Sequence, residues 1–326
     1  MNNKLTVVMY HYVRELKNSR FPELKALDVK LFKQQLDFLQ RNYNIITMND
    51  VVECIQIDKQ LPPKAVLLTF DDAYLDHYLY VFPELVSRGL FGAFYPPAKA
   101  ITQQEVLDVN KIHLILSAVG YNNTHVLVKY LLQFLKNFQS DWSLQDAEYY
   151  YEKIAIANRF DTANTVFVKR LLQVELPLEL RKIAANQLLQ EHLGISEATI
   201  SRELYMTIDQ IKLLSRYGMH VGSHGYDHFW LDRLSEQELT FEIDMSLDFL
   251  NTVNGTTVDW TMCYPYGGYN ETTKKLLESR NCQLAVTTKV DVARVTYDSR
   301  FDIPRLDTND LPTASNAEPN KWYING

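Results

Sequence analysis

The stretch Val66-Leu67-Leu68-Thr69-Phe70-Asp71-Asp72 constrains this chain more than any other. A β-favouring run passes straight into two adjacent carboxylates, with no glycine or proline between them. Two such charges about 4 Å apart repel by roughly 4 kcal/mol at a surface-like effective dielectric. A strand that reads as buried can end this way only if something offsets that cost. One Asp can cap the helix that begins near Ala73, because Asp is a favoured N-cap. The other then needs a different partner, and a cation would serve.

Around this strand the pattern alternates. Residues 5–10 read as a strand ending at His11, and Phe32, Leu36 and Leu39 carry helical spacing across 31–42. Tyr78, Phe82 and Leu85 predict a helix running to Gly89, and 92–95 reads as a strand closed by Pro96-Pro97. The alternation resumes at Thr207-Ile208-Asp209-Gln210 and Ser235-Glu236-Gln237-Glu238, both capping-box matches. Strands are expected at 219–222, 260–263, 284–286 and near Ile303, with a helix over 271–279. Such alternation predicts a parallel α/β sheet or barrel. From about 101 to 206 helical patterns dominate instead. Compact domains rarely hold structureless loops of that length, so this segment reads as a helical insertion into a single domain spanning 1–326. Its Tyr149-Tyr150-Tyr151 cluster reads as packing or lid surface.

Composition narrows the function classes. The net charge is −7, from 33 basic and 40 acidic residues, with no long run of either sign. A binder driven by phosphate contacts would show a basic face, so nucleic acid is not expected as a partner. No apolar run approaches the ~18 residues of a membrane span, and the first residues lack a signal-peptide pattern. Cys54, Cys263 and Cys282 are odd in number and far apart, which fits reduced thiols and a cytoplasmic location better than a disulfide framework.

Three strand-end segments carry the chemistry: Thr69-Phe70-Asp71-Asp72, Gly222-Ser223-His224-Gly225-Tyr226-Asp227-His228, and Tyr264-Pro265-Tyr266-Gly267-Gly268. In a parallel barrel the C-terminal strand ends gather at one mouth, so residues distant in sequence converge. His224 and His228, four apart, can face one ion. Alone they would read as two polar loop histidines; beside an Asp pair they read as ligands. Two imidazoles and a carboxylate suit a divalent metal, zinc first, with cobalt or nickel as alternatives. The ion would neutralise one Asp and leave the other to take a proton from water.

Together, TFDD, SHGYDH and CYPYG resemble the motifs of the polysaccharide deacetylase family, the NodB-homology or carbohydrate esterase family 4 enzymes. The resemblance covers residues 1–100 and 207–310 but not the insertion. It implies a distorted (β/α) barrel of the NodB-homology type, and metal-dependent hydrolysis of an N-acetyl group on an amino sugar or glycan. It further implies Asp71 as catalytic base, Asp72, His224 and His228 as metal ligands, and Tyr266 as backbone N–H donor to an oxyanion, shaped by Pro265 and Gly267.

Departures from the family pattern are equally visible. Ala73 stands where the motif has glycine, Gly225 where Ser or Thr follows the first ligand His, and Cys263 where an Arg orients the catalytic Asp. No C-terminal Leu-x-x-His supplies an acid. His11, in Met9-Tyr10-His11-Tyr12-Val13, resembles the acid of a subgroup with an N-terminal Tyr-His motif. Arg305, in Ile303-Pro304-Arg305-Leu306, is the candidate partner for Asp71. His77, His113, His125, His192 and His220 are read as solvent or packing residues, and Asp227 as a turn or supporting group. Two other readings share the fold: hydrolysis of a cyclic amide or ureide, and a degenerate member that binds a glycan without cleaving it.

Overall fold

The computed structural model describes residues 3–325 and is organised around two parallel strands, Lys4–Tyr10 (β1) and Ala65–Asp71 (β2). They pair in register from Leu5↔Ala65 to Tyr10↔Phe70. Every residue of β2 is buried, which demands partners on both faces. On its other edge β2 pairs with Ala93–Tyr95 (β3), which pairs with His220–Val221 (β4). A single parallel bridge, Ser223↔Met262, leads to Met262–Cys263 (β5), and β5 pairs with Ala285–Val286 (β6). A second bridge, Val286↔Ile303, leads to Leu306–Asp307 (β7), which pairs back onto β1 at Val8↔Leu306. The pairings return to their starting strand, and two seams rest on single bridges. This is the distorted (β/α) barrel expected from the sequence.

The two-residue period of β2 sorts its side chains. Ala65 and Leu67 join an apolar cluster with Leu5, Val7, Ala93, Tyr95, Cys263 and Val286. Thr69 and Asp71 continue the same face toward the C-terminal end, where that interior turns polar. On the opposite face Phe70 stacks on Tyr10 and Phe94, with centroids 5.0 and 4.8 Å apart, and meets Phe32 edge-on. Phe32 comes from the helix Val29–Asn42, whose buried residues include Phe32, Leu36 and Leu39, the helical spacing seen in the sequence.

Most expected elements form within a few residues of their predicted limits. Helices Ala98–Thr102, Lys321–Asn325 and Met48–Ile57 were not anticipated; the last is opened by a capping box in which Thr47 and Asp50 satisfy each other's backbone N–H. Its signature, Thr-x-x-Asp ahead of an apolar stretch, was present in the sequence. The helix after β2 begins as a π-helical turn, His77–Val81, before Phe82–Ser87.

Two compact units make up the chain. The barrel unit comprises the described residues up to Glu15, Ala26–Glu105, and those from Ser201 onward; the second comprises Leu16–Lys25 and Val106–Ile200. Helices of the second unit include Asp108–Val119, Thr124–Phe138, Ala163–Arg170 and Leu178–Leu193, with Leu127, Leu131, Phe167 and Leu188 buried. Leu16–Lys25 had no assigned place in the sequence reading; Lys25 Nζ reaches Asp161 Oδ1 at 2.7 Å. Of the tyrosine cluster, Tyr150 is buried, Tyr149 is exposed, and the Tyr151 hydroxyl donates to Asn164. All three cysteines are free and buried. Among the described residues no helix is long and apolar enough to cross a membrane.

Close approach fixes one glycine in the barrel. A Cβ at Gly222 would lie 2.6 Å from Thr261 Oγ1 and 2.8 Å from the Thr261 carbonyl oxygen. The backbone contact cannot be relieved by a rotamer change. Gly222→Ala is expected to lower stability by about 1–3 kcal/mol through overpacking, read as a drop in the urea midpoint without a change in slope.

Candidate metal centre and catalytic carboxylates

Beyond β2 the backbone turns sharply. Asp72 and Ala73 both adopt left-handed conformations, φ +73° and +53°. This reversal sends two neighbouring carboxylates to different partners.

Asp71 faces Arg305, which is 1% exposed. The guanidinium grips it bidentately, Nη1 to Oδ1 at 2.9 Å and Nη2 to Oδ2 at 2.8 Å. The remaining donors go to Thr69 Oγ1, Cys263 Sγ and the Thr287 carbonyl. Burial alone would raise the Asp71 pKa, but Arg305, with His224 and His11 adding to it, holds it down at about 2. Asp71 is therefore an anion at neutral pH. The Cys263 thiol also donates to Asp71 Oδ2, at 3.4 Å. Arg305 thus gives Asp71 the cationic partner that the neutral Cys263 side chain does not.

Asp72 faces the histidines. Its Oδ2 accepts from the Tyr74 hydroxyl at 2.6 Å, and Tyr74 is fully buried, stacked on Tyr12 at 3.9 Å. Its Oδ1 is buried without a hydrogen-bond partner. That atom lies 3.4 Å from His224 Nε2 and 3.4 Å from His228 Nε2, and the two nitrogens are 3.2 Å apart. Three donor atoms form a nearly equilateral triangle, and edges of this length suit donors that share an ion at about 2.0–2.2 Å. An orphaned carboxylate oxygen facing two converging imidazole nitrogens fits a divalent cation.

Outer contacts set the ligand tautomers. His224 Nδ1–H donates to the Cys263 carbonyl at 2.7 Å, which turns Nε2 toward Asp72. His228, itself left-handed at φ +57°, packs its ring edge-to-face with Tyr266 at 4.6 Å. The two imidazoles cannot both be positively charged. Burial and the adjacent His224 charge pull His228 down to about 3, while Cys263, Asp72 and Asp71 hold His224 up against the cost of burial. Asp72 sits far below the usual carboxylate range: burial opposes the shift, and the close approach of the His224 imidazole with the charges of His228 and His11 overcomes it.

At the end of β1, His11 Nε2 lies 3.8 Å from Asp71 Oδ2, with its side chain 41% exposed. Its carbonyl accepts from His77 Nε2 at 2.7 Å. His77 is a packing residue, edge-on to Phe70, Tyr74 and Phe94, and it also makes a hydrogen bond the sequence did not suggest. It is fully buried, and burial pulls it down to about 4, so it is a neutral donor that anchors the His11 turn. His220 also has a polar partner, Thr261 Oγ1 at 2.8 Å. Tyr266 sits in the Pro265–Gly267 turn at φ +57°, with its ring stacked on Trp230 at 4.8 Å. Asp227 pairs with Lys99 at 2.8 Å.

Two supporting residues escaped the sequence reading. Tyr74 follows the Asp pair by two positions, but an aromatic there reads as core. Glu242, on the helix Glu236–Asn254, is buried and accepts from the Tyr226 and Asp227 N–H groups. Burial lifts it to about 7, partly offset by backbone N–H bonds from Asp227, Phe229 and Tyr226.

Comparison with known proteins was made against this geometry. The polysaccharide deacetylase family model matches residues 152–285, a span that holds both histidines and the Cys263–Gly267 turn but starts after the Asp pair. A curated relative, the putative polysaccharide deacetylase YxkH of Bacillus subtilis (strain 168), is 30% identical over 99 residues, which is 30% of this chain and 33% of the relative. The match therefore spans about a third of that protein's length. Among solved structures, the Streptococcus pyogenes deacetylase PplD in complex with acetate gives a TM-score of 0.57 at 17% identity, covering 96% of this chain and 94% of that one. IcaB from Ammonifex degensii gives 0.57 at 20% identity, covering 95% and 94%. The de-N-acetylase from Aggregatibacter actinomycetemcomitans gives 0.54 at 15%, covering 97% of each chain. At these identities the likeness is one of fold.

Removing Arg305 strands a buried anion. Arg305→Met is expected to cost about 3–5 kcal/mol at pH 7, with Asp71→Asn in the same chain recovering much of the loss. The folded pKa of Asp71 is depressed, so its contribution is complete above the ordinary carboxylate value of 3.8 and lost as pH falls toward about 2. Without Arg305 burial raises the Asp71 pKa in the variant, so the gap to wild type, measured by urea unfolding, should begin to narrow above 3.8 and go on narrowing toward about 2.

Proposed function

From the premise that this chain is of the polysaccharide deacetylase kind, we propose that it is a metal-dependent hydrolase that removes the N-acetyl group from an amino sugar or glycan. The observation that carries this reading is the triangle of Asp72 Oδ1, His224 Nε2 and His228 Nε2, with its unpartnered carboxylate oxygen, beside a second carboxylate held by Arg305. Asp72, His224 and His228 would hold the ion, zinc by the chemistry of two imidazoles and a carboxylate. A divalent ion bound there polarises an amide carbonyl and acidifies water.

The chain's own residues then divide the proton transfers. Asp71 accepts the proton of the attacking water. A carboxylate held at about 2 is a weak base toward bulk water, so it suits a site where the water itself is made more acidic. Arg305 keeps Asp71 ionised and fixes its direction. The Tyr266 backbone N–H donates to the carbonyl oxygen as negative charge develops on it, a contribution of about 3 kcal/mol for a preorganised donor. His11, open to solvent and close to Asp71, donates the proton that lets the amine leave. His77 holds the His11 turn in place from below.

The test is metal content followed by acetate release from a panel of N-acetylated sugars. Asp71→Asn should retain metal yet lose turnover by about 10²–10⁴-fold; unchanged turnover would refute the assignment of the base. His11→Ala should lose the alkaline limb of the kcat profile, because that limb reports loss of the acid's proton. A retained limb would remove His11 from the mechanism. Release from cyclic amides alone would favour the alternative ureide chemistry.

A further inference from the structure

We propose that Glu242 is a positioning residue for metal binding: its carboxylate moulds the 225–229 loop so that both imidazoles face one ion, filling the place opened by Gly225. The proposal rests on the metal reading above.

The loop needs such a device. Gly225 and His228 both have left-handed backbones, φ +75° and +57°. For a residue with a Cβ that conformation costs about 1–2 kcal/mol and persists only where the surroundings enforce it. Three successive N–H groups are bound on one side of the loop. Gly225 N–H donates to Ser223 Oγ at 3.1 Å, and Tyr226 and Asp227 N–H donate to Glu242 Oε1 at 3.0 and 2.7 Å. Ser223 Oγ in turn donates to Ser246 Oγ at 2.8 Å, one helical turn beyond Glu242. Across the loop, the Gly225 and Tyr226 carbonyls accept from the Ala98 and Lys99 N–H groups at 3.1 and 2.9 Å. A run of backbone amides that cradles an acceptor oxygen is a recognised device; here the acceptor is a side-chain carboxyl of the same protein.

Gly225 and Glu242 are sterically coupled. A Cβ at position 225 would stand 2.9 Å from Glu242 Oε1, so a side chain there would displace the carboxylate from its present seat. Any side chain at 225 would compete for that space. The buried carboxylate of Glu242 therefore orders a loop whose first ligand is followed by no hydroxyl.

Zinc affinity, measured by competition with a chelating dye on the full chain, tests this without relying on turnover. Glu242→Leu should bind zinc about 10–100-fold more weakly, the range for removing a residue that supports a ligand. Glu242→Gln keeps an oxygen for the two amides and should stay within about threefold of wild type. A folded Glu242→Leu with wild-type affinity overturns the proposal, as does a Gln variant that loses as much as Leu. If Glu242→Leu does not fold, Glu242→Asp, which withdraws the carboxylate by one methylene, should show the weakening; wild-type affinity there overturns the proposal. Asp72→Ala separates the two claims. If wild type binds no zinc, or binds it equally without Asp72, the metal reading fails and takes this proposal with it. If zinc binding needs Asp72 but ignores Glu242, only the proposal for Glu242 fails.

Discussion

The guanidinium of Arg305, sealed inside the barrel, is the contact on which the arrangement of the site depends. It holds Asp71 bidentately, touches Thr69 on the same strand and Cys263 on β5, and reaches the backbone just past β6 at Thr287. All five N–H donors have acceptors, which is the condition for burying such a group without a large penalty. An aliphatic side chain could fill the volume, but Asp71 would then be a buried, unpaired charge. The pair also links β2 to the seams that rest on single bridges, so the mouth of the barrel is tied together by side chains where its strands pair least.

That contact answers the repulsion posed by two adjacent acids. The left-handed turn at Asp72 and Ala73 directs one carboxylate inward to a permanent cation and the other to the histidines. Asp tolerates that backbone; Ala73 does so at a cost that glycine would not incur, with its methyl fully buried and its carbonyl bound to the Met206 N–H. One acid is charge-balanced within the protein itself, and the other keeps an unpartnered oxygen where an ion fits.

Much of the barrel was legible because its signals are local. Apolar runs such as Val66–Phe70 and capping boxes at Thr207 and Ser235 depend on neighbours in sequence. Helix Met48–Ile57 obeyed the same rule and was overlooked. The histidine and Asp motifs were legible because they sit at strand ends. Their supports were not, because burial of a polar group is decided by distant parts of the chain. Glu242 lies among acidic residues of an amphipathic helix and has no mark in sequence that sets it apart from the solvated ones. His77 looked like a packing residue, and only the fold brings the His11 carbonyl to it. Tyr74, two residues past the Asp pair, is fully buried, and only the folded turn brings its hydroxyl to Asp72.

The central claim is that the two acids have separate tasks, with the ion on Asp72. Diffraction at the zinc absorption edge, from crystals of the full chain grown with zinc, tests it most directly. The account predicts one anomalous peak about 2.0–2.2 Å from Asp72 Oδ1, His224 Nε2 and His228 Nε2. A second group, Asp71, His224 and Cys263, also brings three donor atoms together. A peak there, or none at either place, would contradict the account.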